Sequence, residues 1–99
     1  MSQVIEVVRS SVPQERQAEM LARRPAAMEL FKREFPGLQS ATLGRLDDGS
    51  WVDVIVWRSR EEAEDAARRY VEIPELASFM SLVGDVHSFD MGTVEHDTR

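Results

Sequence analysis

The stretch Trp51–Tyr70, WVDVIVWRSREEAEDAARRY, constrains the fold more than any other part of the chain. Val52, Val54, Ile55 and Val56 are β-branched and suit a pleated, half-buried strand. Side chains alternate across a strand, so Trp51, Asp53, Ile55 and Trp57 share one face and Val52, Val54 and Val56 the other. The period then changes. Ser59 precedes Glu62 by three residues, the spacing of a helix capping box. Ala63, Ala66, Ala67 and Tyr70 follow at helical intervals. A strand that runs straight into a capped helix predicts a sheet with a helix on its Val face and something else on its Trp face. Because both faces are apolar, the reverse arrangement stays open, with the indoles under the helices and a pocket inside each subunit.

The rest of the chain builds around this unit. Val4–Arg9 reads as a first strand, ended by Ser10–Ser11. Pro13 suits the start of a helix. Ala18, Leu21, Ala22, Pro25, Met28, Phe31 and Phe35 recur every three or four residues, which marks the apolar face of a long helix. Pro25 lies within it and predicts a kink or short break at Arg23–Arg24. Pro36–Gly37 ends the helix. Leu38–Leu46 reads as an edge strand, and Asp48–Gly49 as the turn of a hairpin into the Trp51 strand. Pro74 interrupts the second helical region. Leu76, Phe79, Met80 and Val83 continue it as a short amphipathic piece, stopped by Gly84. Val86–Val94 alternates again as a fourth strand, and the polar end frays. The order is β-α-β-β-α-β. It predicts a single α+β domain over residues 1–99, a ferredoxin-like sandwich of a four-stranded antiparallel sheet with the helices on one face.

Composition excludes several functions. The net charge of -6 opposes a nucleic-acid surface, since phosphate binding is driven by Lys and Arg. With no cysteine, disulfides, thiol nucleophiles and zinc–thiolate clusters are impossible. The two histidines share no close ligand spacing, so no metal site is expected. No run approaches the roughly 20 apolar residues of a membrane span, and the start of the chain lacks a basic leader. Together with the missing cysteines, this fits a cytoplasmic protein.

A sheet with helices on one side leaves the other side uncovered. On the first arrangement Trp51, Asp53, Ile55 and Trp57 lie on that open side, too much apolar surface to leave in water, and a two-fold dimer that covers it is the economical solution. A homodimer closing two sheets toward a barrel is therefore expected.

The segment FPGLQSATLGRLDDGSWVDVIVWRSREEAEDAARR resembles the antibiotic biosynthesis monooxygenase-like family of dimeric α/β barrels. The resemblance rests on the order and spacing of Pro36–Gly37, Asp48–Gly49, Asp53, Trp57, Ser59 and Glu62–Ala63, and extends loosely from Val4 to Val94. It implies a small-molecule-binding homodimer similar to cofactor-independent oxygenases, which convert aromatic polyketide-like phenols to quinones without metal or flavin. In that subgroup a Trp closing the third strand matches Trp57, and an amide residue four positions earlier falls on Asp53. A tyrosine expected early in the second helix falls near Ala63, and a basic residue further on falls near Ala77. A haem-degrading branch uses an Asn on strand one and a Trp and His in the second helical region. Arg9, Ala66–Ala67 and Phe79–Met80 occupy those neighbourhoods, which argues against haem.

The candidate site follows. Asp53 would be a base whose affinity for protons rises if it is enclosed; its bland reading is an ion pair with Arg9 or Arg45. Trp57 would be a stacking wall, or packing. His87, on strand four beside Phe89 and Met91, would be a proton shuttle, or a hydrogen-bonded structural histidine. Arg9, Trp51, Phe89 and Met91 would contact substrate. Met20, Met28, Met80 and Met91 with Phe31, Phe35 and Phe79 would line an adaptable pocket or simply form core. The alternative function is a non-catalytic dimeric ligand-binding or structural module. Either ligand-binding reading requires a cavity of roughly 300 Å³ or more holding Asp53 or His87.

Overall fold

The computed structural model describes residues 2–98. The expected junction is present. Strand β3, Trp51–Trp57, passes through Arg58 and Ser59 into a helix at Arg60–Arg69. The Ser59 hydroxyl accepts from the Glu62 backbone N–H at 3.3 Å and donates to Glu62 Oε1 at 2.9 Å. The Arg58 guanidinium, and then that hydroxyl, hold the Glu62 carboxyl below its ordinary range.

Around this junction lie β1 (Val4–Ser10), α1 (Gln14–Glu34), β2 (Leu38–Arg45), α2 (Arg60–Arg69), a single 3₁₀ turn at Tyr70–Glu72, α3 (Pro74–Met80) and β4 (Val86–Thr93). The sheet order is β2-β3-β1-β4, with every neighbouring pair antiparallel. This is the ferredoxin-like arrangement, with β2 and β4 at the edges. The β2–β3 hairpin turns on Gly49, whose φ of 89° is a conformation that side-chain-bearing residues resist. Asp48 locks the turn by accepting from the Ser50 backbone N–H at 2.9 Å and hydroxyl at 2.6 Å.

The sheet faces are the reverse of the first expectation. Trp51, Asp53, Ile55 and Trp57 lie under the helices, level with Ser10, Val8, Glu6 and Val4 of β1. Trp51 and Trp57 are only 3% and 2% exposed. Each indole removes some 150–250 Å² from water when buried, far more than a valine can. The helical layer therefore covers the face that carries the indoles. Ile5, Val7, Val52 and Val54 form a half-buried stripe on the opposite face, with Val56 already buried at its end. It is rimmed by Ser40, Thr42 and Gly44 of β2 and by Ser88, Asp90 and Gly92 of β4.

Helix α1 also corrects the sequence reading. It runs unbroken through Pro25. Ala18, Leu21, Ala22 and Pro25 point to solvent, while Met20, Arg24, Met28 and Phe31 turn inward. An exposed Pro25 places its ring in water, so the lost donor costs one helical bond without disturbing the core. The inward face holds an arginine, which apolar periodicity cannot reveal.

The core divides in two. One cluster gathers Phe35, Leu38, Ala63, Ala66 and Leu76 around Trp57. The other gathers Val12, Met20, Phe79 and Leu82 around Trp51.

Candidate functional site

Between the helices and the sheet, a cavity of about 230 Å³ spans both clusters. It falls short of the expected value of roughly 300 Å³ by about the volume of two water molecules, a gap that rotamer changes of the flexible Met28 and Met80 in its roof are able to close. Its floor is the Trp-bearing face of the sheet, including Glu6, Val8, Trp51, Asp53, Ile55 and Trp57. Its roof is Met20, Arg24, Met28 and Phe31 of α1, Ala63 and Ala66 of α2, and Phe79 and Met80 of α3. The methionines and phenylalanines of the roof serve as both core and cavity wall. Phe31 forms an aromatic corner with Trp57 and Tyr70, at ring-centroid distances of 6.3 and 6.4 Å.

Among the described residues, the titratable groups on the cavity wall are Glu6, Arg24, Asp53 and Tyr70. Asp53 is not paired with Arg9 or Arg45. Both its oxygens accept from Arg24, at 2.8 and 3.0 Å, in a bidentate contact that joins α1 to β3. Such a fork suits a guanidinium and a carboxylate and is among the stronger charge-assisted contacts.

Glu6 was not foreseen. It lies at the centre of β1, opposite Ile55 on one side and Met91 on the other. It is 5% exposed. Burial pushes its carboxyl up to about 7, and the nearby Asp53 charge adds to the rise. The indole N–H of Trp57 faces it and opposes the rise, but without the alignment of a full hydrogen bond. Both indole nitrogens, Trp51 Nε1 and Trp57 Nε1, are buried donors with no partner among the described residues. A buried donor left unpaired is costly, of the order of 1–3 kcal/mol. Two of them on the wall of one cavity mark places where a ligand oxygen would be bound.

The remaining candidates lie elsewhere. Arg9 is on the uncovered face and reaches Ser50 at 3.2 Å and Asp48 at 3.5 Å, bracing the hairpin. His87 is exposed and outside the cavity wall. The reason is a bulge: Ser10 pairs with Val86 and Arg9 with Ser88, so His87 is the extra residue and loses its place beside Phe89. Phe89, 50% exposed, stands at the cavity rim. Met91 packs against the Trp57 cluster. Arg45 covers the Trp51 ring at 4.5 Å from its centroid. Among the described residues there is no group of three or more His, Asp or Glu placed to hold a metal, and no helix is long and apolar enough to cross a membrane.

No protein-family model matches the sequence, and no curated protein matches it. Solved structures do. SnoaB, a cofactor-independent oxygenase from Streptomyces nogalater, superposes with a TM-score of 0.74 at 22% identity, covering 99% of this chain and 98% of that one. A Bordetella bronchiseptica protein named for antibiotic biosynthesis monooxygenases gives 0.77 at 17% identity, over 93% and 96% of the two chains. The chain has the fold of the antibiotic biosynthesis monooxygenases. A dimeric ferredoxin-like protein from an uncultured marine organism shares it, at a TM-score of 0.70 and 12% identity over 100% and 93%.

Proposed function

We propose that this protein is a homodimer that binds a flat aromatic, polyketide-like phenol of roughly two or three fused rings and oxidises it with molecular oxygen, without a cofactor. The observation that carries this reading is the cavity itself. Its wall is almost entirely apolar, yet it holds a carboxyl with a midpoint near neutrality and two unpartnered indole donors. An apolar slot with a few convergent polar groups is the usual form of a small-molecule site. The Met-rich roof adapts to flat ligands. Trp57 and Phe31 supply stacking surface, and the indole N–H groups suit the oxygens of a phenol or ketone. Asp53 holds Arg24 against β3, and the pair adds a polarised edge to the slot. The likeness in fold to SnoaB, a cofactor-independent oxygenase, supports oxygenation without a cofactor.

The reaction balances with oxygen as the sole oxidant. A ring CH₂ flanked by aryl groups loses a proton to give a stabilised anion, which combines with O₂ to form a hydroperoxide. Loss of water from the hydroperoxide leaves a carbonyl, so CH₂ and O₂ become C=O and H₂O.

The half-buried stripe of Ile5, Val7, Val52 and Val54 supports the dimer. A second copy would bury the same residues from both sides in one isologous contact.

Oxygen uptake with anthrone tests the activity. Uptake that scales with protein concentration, with anthraquinone as product, is expected. Saturable anthraquinone binding with no uptake would replace this reading with that of a non-catalytic binding module.

A further inference from the structure

Asp53 is the carboxylate that sequence reasoning nominates as the base, but its oxygens are engaged by Arg24 at 2.8 and 3.0 Å. Both carboxylate oxygens are therefore occupied by the guanidinium, and neither is free to approach a ligand proton. Glu6 has the opposite surroundings. It sits on the neighbouring strand, on the same face of the sheet, 5% exposed. Among the described residues no cation pairs with it, and its side chain forms part of the cavity wall. The Trp57 indole N–H beside it has no hydrogen-bond partner among the described residues.

We propose that Glu6 is the catalytic base of the cavity: it takes the proton from the acidic carbon or phenol of the bound ligand, and the Trp57 indole N–H stabilises the negative charge that results. The inference rests on the ligand class proposed above but not on the oxygen chemistry. In the step, the ligand C–H or O–H bond breaks, its electron pair stays on the ligand as an enolate or phenolate, and the proton moves to a Glu6 oxygen. The anion combines with O₂ to give a peroxide anion, and Glu6 returns the first proton to it to form the hydroperoxide. Glu6 then takes the second C–H proton as the O–O bond breaks and delivers it to the departing hydroxide, so that water leaves and the carboxylate is restored.

Every packed element bears on this group in a consistent way. β3 presents Asp53, which is held by Arg24 of α1 and still raises the Glu6 carboxyl through its charge. β4 presents Met91, which carries no charge. The segment after α2 presents Tyr70, and α3 presents Phe79 and Met80. A base that is half ionised near neutrality combines availability with driving force, and the position of Glu6 near 7 meets that condition.

The test uses anthrone under strictly anaerobic conditions in D₂O, with exchange of its CH₂ protons followed by mass spectrometry. Anthraquinone, which has no acidic C–H, reports binding through tryptophan quenching. The wild-type protein is expected to accelerate exchange, with a pH profile inflecting near 7. Glu6→Gln is expected to bind anthraquinone within about threefold of wild type while exchange falls by about 100-fold or more, in line with the usual worth of a general base. Glu6→Asp keeps a carboxyl one methylene further away and should retain exchange well above Glu6→Gln. It also serves if the amide variant does not fold. Exchange in Glu6→Gln equal to wild type would overturn the assignment while leaving the oxygenase reading intact. Glu6-dependent exchange without aerobic oxygen uptake would uphold Glu6 and remove the oxygenase reading. Failure of the wild type to bind anthraquinone or exchange anthrone would overturn both.

Discussion

Replacing Glu6 by Gln tests the electrostatics of the cavity without any ligand. Gln has nearly the same shape and no charge to lose. In the folded protein, burial moves the Glu6 midpoint from 4.5 to about 7. At about 1.36 kcal/mol per pH unit this amounts to about 3 kcal/mol. The folded state holds this proton more tightly than the unfolded chain does. The corresponding stability is therefore fully present below about pH 4.5 and is lost as pH rises through about 7. Urea unfolding followed by tryptophan emission, at one fixed protein concentration, should show wild type losing about 3 kcal/mol more than Glu6→Gln between pH 4.5 and pH 8. Groups common to both proteins cancel in this difference, including His87 and His96. Curves that stay parallel within about 0.5 kcal/mol would refute the argument, because a buried, unpaired carboxyl cannot ionise free of cost.

Three other perturbations probe separate parts of the structure. Asp53→Asn leaves the Arg24 guanidinium without its carboxylate at a site where the arginine side chain is 13% exposed; a loss of about 3 kcal/mol in urea unfolding is expected, with at least half recovered when Arg24→Met is added. Val54→Arg places a charge in the middle of the half-buried stripe, and should sediment as a monomer at micromolar concentration where wild type sediments as a dimer. Pro25→Ala restores a donor to the exposed side of α1, and should raise stability by up to about 3 kcal/mol, read as a higher melting temperature.

The topology was legible because its signals are local. The Ser59–Glu62 cap, the Asp48–Gly49 turn and the change of period after Trp57 each act within a few residues, and together they leave one order of elements. The choice of sheet face was not local. Both faces of β3 are apolar, and only the contest between two indoles and three valines for the helical layer decides it. The same limit hid the site. Arg24 looks like a solvated residue in a run of charges until Asp53 is found beneath it. Glu6 looks like the polar residue of an alternating strand, although Val4, Glu6, Val8 and Ser10 share one face and Val4 and Ser10 face tryptophans. That alternation, once registered against Trp57 and Trp51, is the signal that could have found Glu6. His87 went astray because a one-residue bulge is invisible in an alternating pattern. The fold also narrows the chemistry less than the cavity does, since one fold serves many activities.

The most direct measurement is a proton–nitrogen correlation spectrum of the two tryptophan indoles as anthraquinone is added. The chain has two tryptophans, so two indole signals report on both buried donors. Saturable shifts of both signals, with the Val52 and Val54 methyl signals of the opposite face unmoved in a companion proton–carbon spectrum, are the predicted result. Unmoved indole signals at concentrations that perturb the valine face would contradict the placement of the site between helices and sheet.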